Sequence, residues 1–158
     1  MKILVVYYSR TGCTRMVADR LAQSLHADLL ELQEQTNRDG VWGFIKGGFD
    51  AWRKNLTELA AVDKDLADYD LVVIGSPVWA GTLCPAVRTL LQQVAARVPC
   101  SAFFCTHGGG GASKSYADAE RLLGKPLEAT VALRDKDVKR GEMDPAISPF
   151  IRTLLRKE

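Results

Sequence analysis

No stretch of this sequence approaches the roughly 18 consecutive apolar residues that a bilayer-spanning helix needs, so membrane insertion is not expected. Cysteines are few and unpatterned. Cys13, Cys84, Cys100 and Cys105 form no C-x-x-C pair and no Cys/His ligand spacing, which points to buried reduced thiols instead of disulfides or a metal site. Neither sign of charge dominates, because 21 Lys and Arg against 19 Asp and Glu leave only +2. That is too small and too dispersed to suggest a nucleic-acid partner. Repeats, linkers and low-complexity tracts are absent as well. The apolar opening MKILVVYYSR is too short for a signal peptide and no small-residue cleavage site follows it, so a cytoplasmic protein is expected. What remains is 158 residues, 47% hydrophobic and 25% charged, sufficient for one domain over residues 1–158 with a full core.

Apolar runs alternate with helix-period stretches. KILVVYY is rich in β-branched and aromatic residues and predicts a strand buried on both faces. Residues 14–25 follow, with Met16, Val17, Leu21 and Leu25 spaced along one helical face. ADLLELQ predicts a second strand near an edge. Across residues 41–56, Trp42, Ile45, Phe49, Trp52 and Leu56 recur every three or four positions, which predicts a helix despite Gly47 and Gly48. YDLVVIG, SAFFCT and LEATVAL predict three more strands. Helices are expected over residues 84–96, begun by Pro85, and 113–123. In SPFIRTLLRK, Ser148 is expected to cap a closing helix and Pro149 to set its first turn. Five strands alternating with helices imply a doubly wound α/β fold, a parallel sheet covered on both faces.

In such sheets ligands bind beyond the carboxyl ends of the strands, where strand order reverses. The loops after the first, third and fourth strands are therefore the candidates. The first holds Ser9, Arg10, Thr11, Gly12, Cys13 and Thr14. A small turn entering a helix presents unpaired N–H groups at the positive end of the helix dipole, and these hydroxyls add donors without any repelling carboxylate, so the loop suits a phosphate. The alternative is that Ser9 or Thr11 simply caps the helix. The second loop, Pro77, Val78, Trp79, Ala80 and Gly81, sets a large aromatic among small residues. It could stack on a planar ligand, or Trp79 could pack against a neighbouring helix. The third loop runs Thr106, His107, Gly108, Gly109, Gly110 and Gly111, and so much glycine suits main chain that lies close to a ligand, or an ordinary flexible loop.

YYSRTGCT, VIGSPVWAG and CTHGGGGA, in order at these three strand ends, resemble the flavodoxin family, particularly its short flavodoxin-like reductases. The likeness spans essentially the whole chain. It implies strand order 2-1-3-4-5 and flavin mononucleotide (FMN) as cofactor, its phosphate in the first loop and its ring flanked by the other two. Cys13 stands where many relatives carry Asn, which removes a side-chain amide but leaves the backbone N–H. A nucleophilic role for Cys13 is disfavoured, since Asp19 occupies the position of the arginine in a C-x5-R phosphatase loop.

Other functions of such sheets fit less well. A receiver domain needs an Asp after the third strand, where Gly75 and Ser76 stand. GGGGASKS is a near miss for a nucleotide-binding P-loop, with Ser113 in place of the second glycine. His107 is placed with the binding residues and not the catalytic ones, which stay unassigned; His26 is expected on the surface. The family's electron carriers are typically strongly acidic, whereas this chain is mildly basic. The three loops lack Asp and Glu and have Arg10, Arg15, Arg88 and Lys114 in or beside them. These surroundings favour an NAD(P)H-dependent reductase of a small acceptor such as a quinone over a one-electron carrier docking on protein partners. The aromatic helix over residues 41–56 is a candidate cover for the site or a subunit contact in a homodimer, with packing on the sheet the alternative for Trp52.

Overall fold

The computed structural model describes residues 1–156. Its elements run β1 (Ile3–Tyr7), α1 (Cys13–Leu25), β2 (Asp28–Glu31), α2 (Gly40–Trp52), β3 (Leu71–Trp79), β4 (Thr82–Leu83), α3 (Pro85–Val94), β5 (Ser101–His107), α4 (Ala112–Leu123), β6 (Thr130–Arg134), α5 (Asp135–Lys139) and α6 (Asp144–Leu155). Five strands pair in parallel in the order β2-β1-β3-β5-β6. Setting aside the short β4, this is the expected 2-1-3-4-5. β4 pairs antiparallel with the end of β3 across the two-residue turn Ala80-Gly81, whose φ values of 47° and 77° are both positive, as tight hairpins require.

The continuous apolar runs follow from burial on both faces, since successive strand residues point to opposite sides. Leu4, Val6, Val72, Ile74, Phe103 and Cys105 face one core layer with Val87, Leu90 and Leu91 of α3 and Ala119 of α4. Ile3, Val5, Tyr7, Val73 and Phe104 face the other, with Val17 and Leu21 of α1 and Ile147, Phe150 and Leu154 of α6. Met16 is exposed, and the buried face of α1 uses Cys13, Thr14 and Ala18 instead.

Two helical expectations change. The closing helix begins at Asp144, so Pro149 lies inside it, and the Ser148 hydroxyl donates back to the Asp144 carbonyl at 2.7 Å instead of capping. A hydroxyl in a helix interior has that local acceptor available, so Ser alone does not mark a start. The expected stretch also reached Lys157, which lies outside the described residues. The second change concerns which face of α2 is buried. Gly43, Gly47 and Ala51 turn inward while Trp42 and Trp52 are 83% and 63% exposed, so Trp52 does not pack on the sheet. The spacing predicts the helix but not its facing, because only small residues fit beneath it. A Cβ on Gly47 would meet the Trp79 ring at 3.1 Å, and one on Gly43 would strike the Arg38 main chain.

Candidate functional site

All three loops and part of α2 converge at the carboxyl end of the sheet around a cleft of about 290 Å³. From the first loop come Arg10, Thr11 and Thr14, from the second Pro77, Val78 and Trp79, from the third Thr106 and Gly108. Phe44 of α2 and Asp135 complete the lining. An adjoining cavity of about 120 Å³ runs under α2, sharing Arg10, Phe44, Val78 and Trp79 and adding Ala80. Ser9, Gly12, Cys13, Gly81, His107, Gly109, Gly110 and Gly111 shape these loops without lining either space.

The first turn is held in a donor-rich form. Gly12, at φ 101°, precedes α1, which has no side-chain cap and no acidic residue in its first turn. Ser9 Oγ accepts the Gly12 N–H at 3.0 Å, so Ser9 closes the turn and leaves the next N–H groups of the helix without a side-chain acceptor. Thr14 is buried and its hydroxyl lies 2.8 Å from the Thr106 hydroxyl, which ties the first loop to the third. In a hydroxyl pair one O–H is used internally and the other is free to donate. Both threonines border the cleft. Cys13 is 4% exposed, so its thiol belongs to the core under the sheet and not to the loop surface.

The second and third loops brace each other. α4 likewise starts from a left-handed glycine, Gly111 at φ 89°, with no side-chain cap and no acidic first turn. A Cβ at Gly111 would lie 2.6 Å from Val78 and 2.7 Å from the Gly81 Cα, so only glycine permits the hairpin to sit against the helix start. Under the hairpin, Asp118 accepts from Thr82 at 2.5 Å and from Arg88 at 3.0 Å. Burial alone would raise the Asp118 carboxyl, but these hydrogen bonds and the Arg88 charge hold it well below the usual carboxylate range. His107 Nδ1 is buried without a hydrogen-bond partner among the described residues.

Trp79 is only partly free to meet a ligand. Its ring packs edge-on to Tyr8 at 5.6 Å, has the Arg38 guanidinium over it at 5.5 Å, and abuts Gly47. Arg38 is buried and donates to Glu34 at 2.5 Å and Asp50 at 2.9 Å, while the Tyr8 hydroxyl donates to Glu34 at 2.7 Å. Burial first, then Glu34, push the Tyr8 hydroxyl well above its ordinary value. Arg10 donates to the carbonyls of Arg38 and Gly40 at 2.9 and 3.0 Å and lies over the Phe44 ring at 5.6 Å, so it fastens the start of α2 to the first loop.

The charge balance differs from the pattern of the three loops alone. Arg15 is paired with Glu31 at 2.5 Å and Arg88 with Asp118 at 3.0 Å. Arg10 remains at the cleft, and Lys114 is exposed in the first turn of α4. Against them stands Asp135, the first residue of α5, directly after β6. Its signal was its place one residue after the last strand of a parallel sheet, at the same carboxyl end as the other loops.

The flavodoxin family model matches residues 2–125. No curated protein matches the chain by sequence. Among solved structures, a flavoprotein in complex with FMN from Lactobacillus acidophilus is 25% identical, with a TM-score of 0.72 over 88% of this chain and 97% of that one. The Trp repressor binding protein from Bacillus subtilis is 14% identical, with a TM-score of 0.63 over 96% of this chain and 98% of that one. A flavodoxin, WrbA-like protein from Agrobacterium tumefaciens is also 14% identical, with a TM-score of 0.59 over 96% and 97% of the two chains. With the family model covering most of the sequence and the strand order agreeing, this chain belongs to the flavodoxin family.

Proposed function

We propose that the cleft binds FMN noncovalently and that the protein works as an NAD(P)H-dependent reductase of a small acceptor such as a quinone. The observation that carries the cofactor assignment is the donor set at the start of α1, an uncapped helix N-terminus beside the Thr14–Thr106 hydroxyl pair with no carboxylate in the turn. This chemistry fits a phosphate dianion, and the left-handed Gly12 lets the main chain approach it. Arg10 adds positive charge without leaving the carbonyls that orient it. Pro77, Val78 and Trp79 present an apolar wall to the ring, and Phe44 beside Arg10 adds a further apolar surface. FMN, when bound, supplies reversible acceptance of a hydride or of single electrons.

The chain's part is then to orient and to exclude water. The brace between Gly111 and the Ala80-Gly81 hairpin fixes the two loops that flank the ring position. The reductase reading rests on the net charge of +2, on Arg10 at the cleft and on Lys114, exposed in the first turn of α4, which attract the phosphates of a nicotinamide nucleotide. Arg15 and Arg88 are neutralised and Asp135 adds a negative charge, so Arg10 carries the positive charge at the cleft. The test is anaerobic mixing of FMN-loaded protein with NADH or NADPH while the flavin absorbance is followed. Bleaching within seconds, with turnover when a quinone is added, is expected. No direct bleaching, together with rapid reduction by a partner flavoprotein, would assign the chain as a carrier.

A further inference from the structure

α2 is built inside out for a helix on a soluble sheet. Its small residues Gly43, Gly47 and Ala51 are buried, and Val41, Trp42, Ile45, Phe49 and Trp52 face outward, with Val41 at 74% and Ile45 at 52% exposure. Aromatic side chains carry about 150–250 Å² each, so the four exposed rings of this helix alone present on the order of 500 Å². That lies at the upper end of the largest apolar patch on an ordinary monomer, roughly 300–600 Å², before the aliphatic residues are added. No helix among the described residues is long and apolar enough to cross a membrane, so this surface must meet its partner from outside.

Charge indicates which partner. Lys46 and Arg53 flank the stripe and are exposed, Arg53 lying over the Trp52 ring at 6.0 Å. The carboxylate within the helix, Asp50, is turned inward, accepting from Arg38 at 2.9 Å and Asn55 at 3.0 Å. Within α2 the outward face therefore combines Trp, Phe and Ile with cations and no acidic side chain, while the exposed Asp39 stands at its N-cap. Two copies meeting across a two-fold axis would return that cationic flank to itself. An anionic lipid surface complements it: the rings enter the boundary between headgroups and acyl chains while Lys and Arg meet the phosphates. We propose that α2 docks this protein on anionic bilayers. Phe44, at the side of the helix, lines the cleft, so docking would hold the cleft beside the membrane, where apolar acceptors dissolve. The docking itself does not depend on the reductase reading.

The test uses the full chain loaded with FMN and two kinds of vesicle, phosphatidylcholine alone and phosphatidylcholine mixed with phosphatidylglycerol. Sedimentation and the tryptophan emission maximum report binding, and flavin fluorescence in the same samples reports separately on the cleft. Binding to the anionic vesicles with a blue-shifted emission is expected, stronger than to the neutral ones by about tenfold or more. Trp42→Ser combined with Phe49→Ser should abolish it, and Lys46→Glu combined with Arg53→Glu should remove the anionic preference, both leaving FMN affinity unchanged. Failure of the FMN-loaded protein to bind anionic vesicles overturns the proposal. So does a dimer in light scattering that Trp42→Ser and Phe49→Ser dissolve while vesicle binding persists.

Discussion

Replacing Gly111 by alanine probes how the ligand-facing loops are held at their spacing. Gly111 has φ 89°, and a Cβ there would sit 2.6 Å from Val78 Cγ1, 2.7 Å from Gly81 Cα and 3.0 Å from the Gly81 carbonyl carbon. The valine tip could rotate, but the Gly81 backbone cannot retreat without moving the hairpin. A left-handed conformation costs a residue with a Cβ about 1–2 kcal/mol, and forcing atoms into filled space adds about 1–3 kcal/mol. The expected loss is thus roughly 2–5 kcal/mol. At roughly 2–4 °C per kcal/mol for a chain of this length, Tm should fall by roughly 4–20 °C. Gly108→Ala is the control, because nothing lies within 4 Å of its added Cβ and its backbone is outside the left-handed region. Its Tm should move by less than about 2 °C. Thermal melts followed by circular dichroism at one protein concentration make the comparison. Equal Tm values for the two variants would refute the loop brace.

Two other outcomes follow from the hydroxyl pair and the buried carboxylate. Thr14→Ala removes one hydroxyl of the pair that borders the cleft; a charge-assisted bond is worth roughly 1.5–3 kcal/mol, so FMN binding should weaken about tenfold or more while riboflavin binding changes little. Equal losses for both ligands would place the phosphate elsewhere. Asp118 has a folded pKa below its unfolded value of about 3.9, so its stabilisation is present above about pH 4 and is lost as pH falls through the folded value. Asp118→Asn leaves Arg88 buried without its counter-charge and should cost about 3 kcal/mol at pH 7. Urea unfolding at pH 7 and pH 3 should show the gap to the wild-type protein narrowing in acid, and a gap that stays constant would contradict the assignment.

The sheet and its order were legible because burial on both faces leaves β1, β3 and β5 as unbroken apolar runs, and because the helices between them force a parallel arrangement. The first and third loops were legible for a related reason. Gly12 and the run Gly108 to Gly111 at strand ends bring no side chain to the core, so the composition pointed to a role outside it. What the sequence could not show was orientation and pairing. The spacing of Trp42, Ile45, Phe49 and Trp52 marked a helical face correctly, yet Trp79 and the Arg38 main chain fill the space beneath α2, so the glycine face is the buried one. Arg15 and Arg88 stand in the sequence as cations beside the loops, but Glu31 and Asp118, distant in the chain, neutralise them. Asp135 reaches the cleft as the first residue of α5, a stretch that carries no motif and, at five residues, is too short for periodicity to reveal.

The most direct measurement is an equilibrium titration of the purified protein with FMN, followed by flavin fluorescence, with riboflavin and ATP in parallel. The arrangement of the α1 N-terminus, the Thr14–Thr106 pair and the apolar wall of Pro77, Val78 and Trp79 predicts quenching that saturates at about one equivalent of FMN, with riboflavin weaker for want of a phosphate. Absence of saturable FMN binding at micromolar concentration, with ATP bound instead, would contradict it.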